Sequence, residues 1–169
     1  MSFARMMGVS MVLFFHAVQA SAQMPENCAL TTVTGPDRHV LSCAGSLVIE
    51  MDVATEMGIV NGPNDLPERV TLSQGTVLIE VEQGGAVPQI RTPHAIAAVR
   101  GTVYAVDIQS ESTAVFVLRG AVNVRHLRGS GKSVDLTAGQ GVDVTPGQSL
   151  EIKTWGEDRV RALLSRFGR

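Results

Sequence analysis

From residue 69 onward the chain is cut into short runs of β-branched and other apolar residues, with glycine, serine, asparagine, aspartate or proline between most of them. The runs cover 69–72, 76–82, 86–91, 95–100, 103–108, 113–118, 121–127, 133–136, 142–144 and 150–153. None carries a sustained 3.6-residue apolar period, so the stretch has no way to build a long amphipathic helix. Strands punctuated this often make an all-β domain. Upstream, residues 46–54 alternate apolar and polar side chains, which adds a half-buried strand.

Four glycines, Gly75, Gly101, Gly120 and Gly141, each lead directly into a strand-like run, at spacings of 26, 19 and 21 residues. Spacing of that order is close to one coil of a solenoid. A meander gives the same signal, because tight turns demand glycine. The expected architecture is therefore a solenoid-like roll or a double-layered β-sandwich rather than a closed barrel.

Only the end of the chain reads as helix. Val160, Leu163, Leu164 and Phe167 share one helical face, with Glu157 and Asp158 in the first turn and Arg161 and Arg166 later. That charge order suits the helix dipole, and Gly168 stands where a helix stops. The segment is expected to close an open end of the β stack and shield edge strands; docking to a partner is the alternative.

The chain begins with one positive charge, Arg5, then an apolar run at 6–18, then the small residues Ala20, Ser21 and Ala22. This is the layout of a cleaved export signal ending at residue 22. A membrane anchor is the rival reading, but spanning takes about 20 apolar residues, and this run is shorter and carries His16. Removing the leader leaves about 147 residues and takes away Arg5 alone among the charged side chains, so the net charge moves from −2 to −3. A chain with that balance offers no electrostatic footprint for nucleic acid and no basic helix for an anionic membrane. After cleavage no membrane insertion is expected.

The two cysteines, Cys28 and Cys43, flank a turn at Gly35-Pro36-Asp37 between two β-rich runs. Cross-strand positions of a hairpin come within disulfide reach. In an exported chain they are expected to be oxidised, a closure worth roughly 3 kcal/mol; two buried free thiols are the alternative. The organisation read from these features is a signal peptide at 1–22, a disulfide-linked hairpin and strand at 23–55, the main β domain at 56–153 and the helix at 154–169.

The run Ile90-Arg91-Thr92-Pro93-His94-Ala95 leads into Val99-Arg100-Gly101-Thr102, then Val103-Tyr104-Ala105-Val106-Asp107, a valine-rich strand ending at Gly120, and Leu136-Thr137-Ala138-Gly139. Over roughly residues 75–145 this resembles the FecR domain family, whose motif positions fall here on Thr92, Pro93, Ala95, Val99, Arg100, Gly101 and Thr102. The resemblance implies a β-rich periplasmic module of Gram-negative signalling. Full-length members carry a cytoplasmic sigma-factor-binding segment and a membrane helix. This sequence has a leader in their place, so the expectation is a stand-alone module without the anti-sigma role.

Individual residues say less. Arg100 beside Gly101 suits a β-bulge, with its charge satisfying carbonyls or Asp107; a clamp on an anionic ligand is the functional alternative. His39, His94 and His126 have no metal-ligand spacing. Residues 61–68 offer oxygens from Asn61, Asn64, Asp65 and Glu68, but Pro63 and the shortage of carboxylates leave them far from a calcium loop. There is no nucleophile elbow and no phosphate-binding glycine loop, and no cofactor is implied. The leading expectation is an exported, non-enzymatic module that binds an envelope or periplasmic protein through exposed strand edges, in sensing or signalling. A small-molecule or glycan-binding module, with His94, Arg100 and Arg125 as contacts, is the second. An enzyme of unknown type is the third.

Overall fold

In chain order the strands are β1 (Cys28–Val33), β2 (Arg38–Cys43), β3 (Leu47–Asp52), β4 (Glu56–Asn61), β5 (Pro67–Val81), β6 (Gln89–Arg91), β7 (Ala95–Ile108), β8 (Thr113–His126), β9 (Ser133–Thr137), β10 (Gln140–Val144) and β11 (Lys153–Thr154). One helix, α1 (Glu157–Leu164), follows and runs into a 3₁₀ turn at Ser165–Phe167. The structure, a computed structural model, describes residues 25–44, 47–82, 87–129 and 131–169, without the side chains of Asn64 and Arg100. The expected signal peptide at 1–22 lies outside the described residues.

The all-β expectation with a C-terminal helix holds, and three strands are longer than the punctuation suggests. Residues 69–72 and 76–82, read as two strands, belong mostly to one, β5. The pairs 95–100 with 103–108 and 113–118 with 121–127 likewise merge into β7 and β8. The glycines between them are not chain reversals. Gly75, Gly101 and Gly120 have φ of 89°, 62° and 84°, a left-handed backbone that bends a strand in mid-course. At Gly120 a Cβ would lie 2.6 Å from the Gly101 carbonyl oxygen, so two neighbouring strands turn the same corner in contact. The register between β7 and β8 slips at that corner, between Arg100 and Val103, which is the bulge expected at Gly101.

Among the described residues these corners convert one eleven-stranded sheet into two layers. The first layer runs β1-β2-β3, the second half of β5, the second half of β7, the first half of β8, then β10 and β11. The second layer runs β4, the first half of β5, β6, the first half of β7, the second half of β8, then β9. β6 wedges between β5 and β7 in the second layer only, parallel to β5, which splays the two long strands apart there.

The core fills the space between the layers. Ile49, Val77, Ile79, Tyr104, Val106, Val115 and Val117 of the first layer join Val70, Leu72, Ile90, Ala97, Val122, Val124 and Leu136 of the second in a single buried cluster. Strand alternation sends the intervening residues outward. In the first layer these include Leu78, Val103, Ala105, Ala114 and Phe116, which form a second apolar cluster with Trp155, Leu163 and Phe167 of the C-terminal segment. The helix thus caps the β structure by lying across the outer face of a layer rather than along an edge strand.

Candidate functional site

The family-like motif is built as architecture. β6 and β7 are joined by the two-residue turn Pro93-His94. Thr92 donates its backbone N–H to the Ala95 carbonyl at 2.9 Å, and Ala95 donates its own N–H to Thr92 Oγ1 at 2.9 Å. A side-chain oxygen thus takes the acceptor role that a backbone carbonyl has in an ordinary two-residue turn. Thr92 Oγ1 also lies 3.0 Å from Thr113 Oγ1, and Thr113 Oγ1 lies 3.0 Å from His94 Nδ1. Thr92 and Thr113 are buried, and they staple the β6–β7 turn of the second layer to the start of β8 in the first.

His94 is therefore held in a structural network. Arg125 alternates with the core-facing Val122 and Val124, which puts it on the opposite, outer face of the second layer. The side chain of Arg100 lies outside the described residues. His94 and Arg125, read from sequence as joint ligand contacts, thus sit on different surfaces. In the loop considered for calcium, Asp65 accepts from the Asn61 side-chain amide at 2.7 Å and from the backbone N–H of Glu26. Its carboxylate serves to pin the start of the described chain. Among the described residues no three His, Cys, Asp or Glu side chains gather as metal ligands. Tyr104 is fully buried, and burial pushes its phenol well above the ordinary tyrosine range, which makes it inert.

Two surfaces of the first layer are distinctive. Its outer face is covered. Trp155 stacks on Phe116 with ring centroids 4.9 Å apart, and Arg159 lies 3.5 Å from the centroid of the indole ring. Gly141 makes this possible, since a Cβ there would meet the indole nitrogen at 2.4 Å. Around that apolar contact, arginines reach from the C-terminal segment to outward carboxylates of the layer. Arg159 pairs with Asp143, Arg166 with Asp107 at 3.0 Å, and Arg169 with Glu50 at 2.6 Å. Glu50 is buried and also takes Arg38 at 2.8 Å.

Among the described residues the edge of the same layer is uncovered. Among the described residues β1 pairs with β2 alone. The Cys28–Cys43 disulfide joins directly opposite residues with Cα atoms 4.0 Å apart, as the hairpin spacing predicted. Ala44 donates to the Asn27 carbonyl, so the pair 27–44 is hydrogen-bonded. Alternation then points the N–H and C=O groups of Cys28, Leu30 and Thr32 away from β2. The Cys28 N–H is taken by the Pro25 carbonyl at 3.0 Å, and among the described residues the outward groups of Leu30 and Thr32 have no backbone partner. The strand Cys28–Val33 contains no charge, no proline and no register slip, and Leu30 is 48% exposed. Other edges are blunted. β4 carries Glu56 and register slips, β9 carries Asp135, and β11 has two residues.

The protein-family model for "FecR protein" matches residues 30–123, from β1 through most of β8. The chain belongs to the FecR family. Its match starts well before the region around residues 75–145 that carries the recognisable motifs, takes in the hairpin except Cys28 and Ala29, and ends at 123, short of that region's end. Two crystal structures from Parabacteroides distasonis, each of a chain described as a candidate anti-sigma factor, share the fold. One superimposes with a TM-score of 0.61 at 18% identity, covering 81% of this chain and 64% of that one. The other gives 0.58 at 17% identity, covering 80% and 64%. The FecR chain described here thus spans less than two thirds of the length of those structures. No curated protein matches it. The FecR family is a regulatory one, and the likeness to the two crystal structures is one of fold. Among the described residues no helix is long and apolar enough to cross a membrane.

Proposed function

We propose that this FecR-family chain is exported by its leader and works in the periplasm as a non-enzymatic sensing or signalling module. It binds an envelope protein by accepting a strand from that protein onto the edge of β1. The observation that carries the reading is the unblunted edge itself. Natural sheets protect such edges with charges, bulges or cover, and this molecule does so at its other edges. The outward N–H and C=O groups of Leu30 and Thr32, without a backbone partner among the described residues, are the chemistry of β-augmentation. The disulfide that locks β1 to β2 belongs to an oxidising compartment, and it would hold the edge rigid for a partner.

Two measurements test this. The mass of the exported protein should begin at Gln23, which checks cleavage after Ala22. A photocrosslinking residue at Thr31, in cells that make the protein natively, should yield one discrete adduct. The adduct should vanish with Leu30→Pro, which removes an outward N–H without touching the β1–β2 ladder. No adduct, or one indifferent to that proline, would overturn the docking edge.

A further inference from the structure

We propose that one open end of the sandwich binds a small hydroxylated organic anion, of the size of a sugar phosphate or sugar acid. A cavity of about 460 Å³ opens there, between the end of β8, the residues Arg128, Gly129 and Lys132, the start of β9 and residues 147–150. That volume is within the range of small-molecule sites. His126 continues the inward alternation of Val122 and Val124, so it faces the gap between the layers at its mouth. Val134 and Leu150, which pack against the main core, give the cavity an apolar floor.

Charge selects the ligand. Arg128 and Lys132 line the cavity with His126, and no aspartate or glutamate does. Neither Arg128 nor Lys132 has an ion pair or hydrogen bond among the described residues. Arg38, Arg119, Lys153, Arg159, Arg161, Arg166 and Arg169 have carboxylate partners, Arg69, Arg91 and Arg125 have no ion pair among the described residues, and the whole chain carries a net charge of −2. Arg128 and Lys132 stand out because they line one cavity together. Two cations left without carboxylates around one concavity give a local positive field against the sign of the protein. Ser133 and Ser149 add hydroxyls at the rim, suited to a ligand that carries hydroxyls beside its anionic group. The site is remote from the β1 edge and does not depend on the partner reading.

The experiment is a titration of the mature protein with glucose 6-phosphate, glucuronate, glucose and inorganic phosphate, followed by calorimetry and by the ring resonances of His126. At least one of the two sugar anions should bind at low ionic strength, weaken at about 0.15 M salt, and shift His126. Glucose should not bind. An Arg128→Ala/Lys132→Ala double variant should keep its melting temperature and lose at least about tenfold in affinity, or 1.4 kcal/mol. Failure of both sugar anions to bind at millimolar concentration would overturn the proposal, as would an unchanged double variant. Inorganic phosphate binding as tightly as the sugar phosphate would reduce the site to an adventitious anion contact. Binding to anionic vesicles without any soluble anion would also count against it.

Discussion

The outer face of the first layer and its free edge are a few strands apart, and the chain treats them in opposite ways. On the face, Leu78 and Phe116 are 1% and 4% exposed beneath Trp155, Leu163 and Phe167. At the edge, Leu30 is 48% exposed and, among the described residues, the outward backbone groups of Leu30 and Thr32 have no backbone partner. Apolar side chains are driven under cover because each buried large one contributes about 1.5–3 kcal/mol. Backbone N–H and C=O groups at an edge can be satisfied by water instead, so leaving them open costs little. An edge is therefore the cheaper surface to keep available, and it is available to anything that can supply a strand.

The contrast can be broken from the face first. Phe167 is 1% exposed and anchors the end of the chain, so Phe167→Ala should destabilise by about 3–5 kcal/mol; a change below about 1 kcal/mol in chemical denaturation would mean the cover is dispensable. At the edge, Cys28→Ser/Cys43→Ser should cost roughly 3 kcal/mol, with amide exchange in β1 rising more than in β7. Glu50→Gln leaves Arg38 beside a neutral partner. The expected loss is about 2 kcal/mol, below that of a fully buried pair, because Arg169 is nearly half exposed. Arg159→Ala removes a cation over Trp155 and the pair with Asp143, and should cost about 1 kcal/mol. The smallest effect sharpens the comparison most. Thr32→Lys should change stability by less than about 0.5 kcal/mol while abolishing the crosslink at Thr31, since a charge on an edge strand repels pairing.

Much of this was legible in residue order. The hairpin, its disulfide and the amphipathic C-terminal segment all follow from local spacing, because each involves neighbours within a few turns of chain. The mid-strand glycines were legible as points of positive φ but not as bends. A left-handed residue reverses the chain in a hairpin and corners it in a long strand, and the two differ only in which partner strand lies alongside. At Gly120 that partner is Gly101, and nothing near either residue in sequence announces it. The proposed anion-binding cavity is hidden in the sequence for a related reason. His94 and Arg100 lie within the recognisable motif and Arg125 in a strand-like run, whereas Arg128 and Lys132 follow the last residue of β8 with no motif around them. What marks them is that they line one cavity together without a carboxylate, a property of the assembled surface.

Composition and punctuation were sufficient for the class of fold, the helix and the oxidised hairpin, since period, turn chemistry and cysteine spacing act locally. The layering of the sheet, the face on which the helix settles, the bareness of β1 and the unpaired charge at the open end all depend on contacts between distant segments. Burial and pairing energies are collected only when those segments meet, so no stretch of sequence carries them alone.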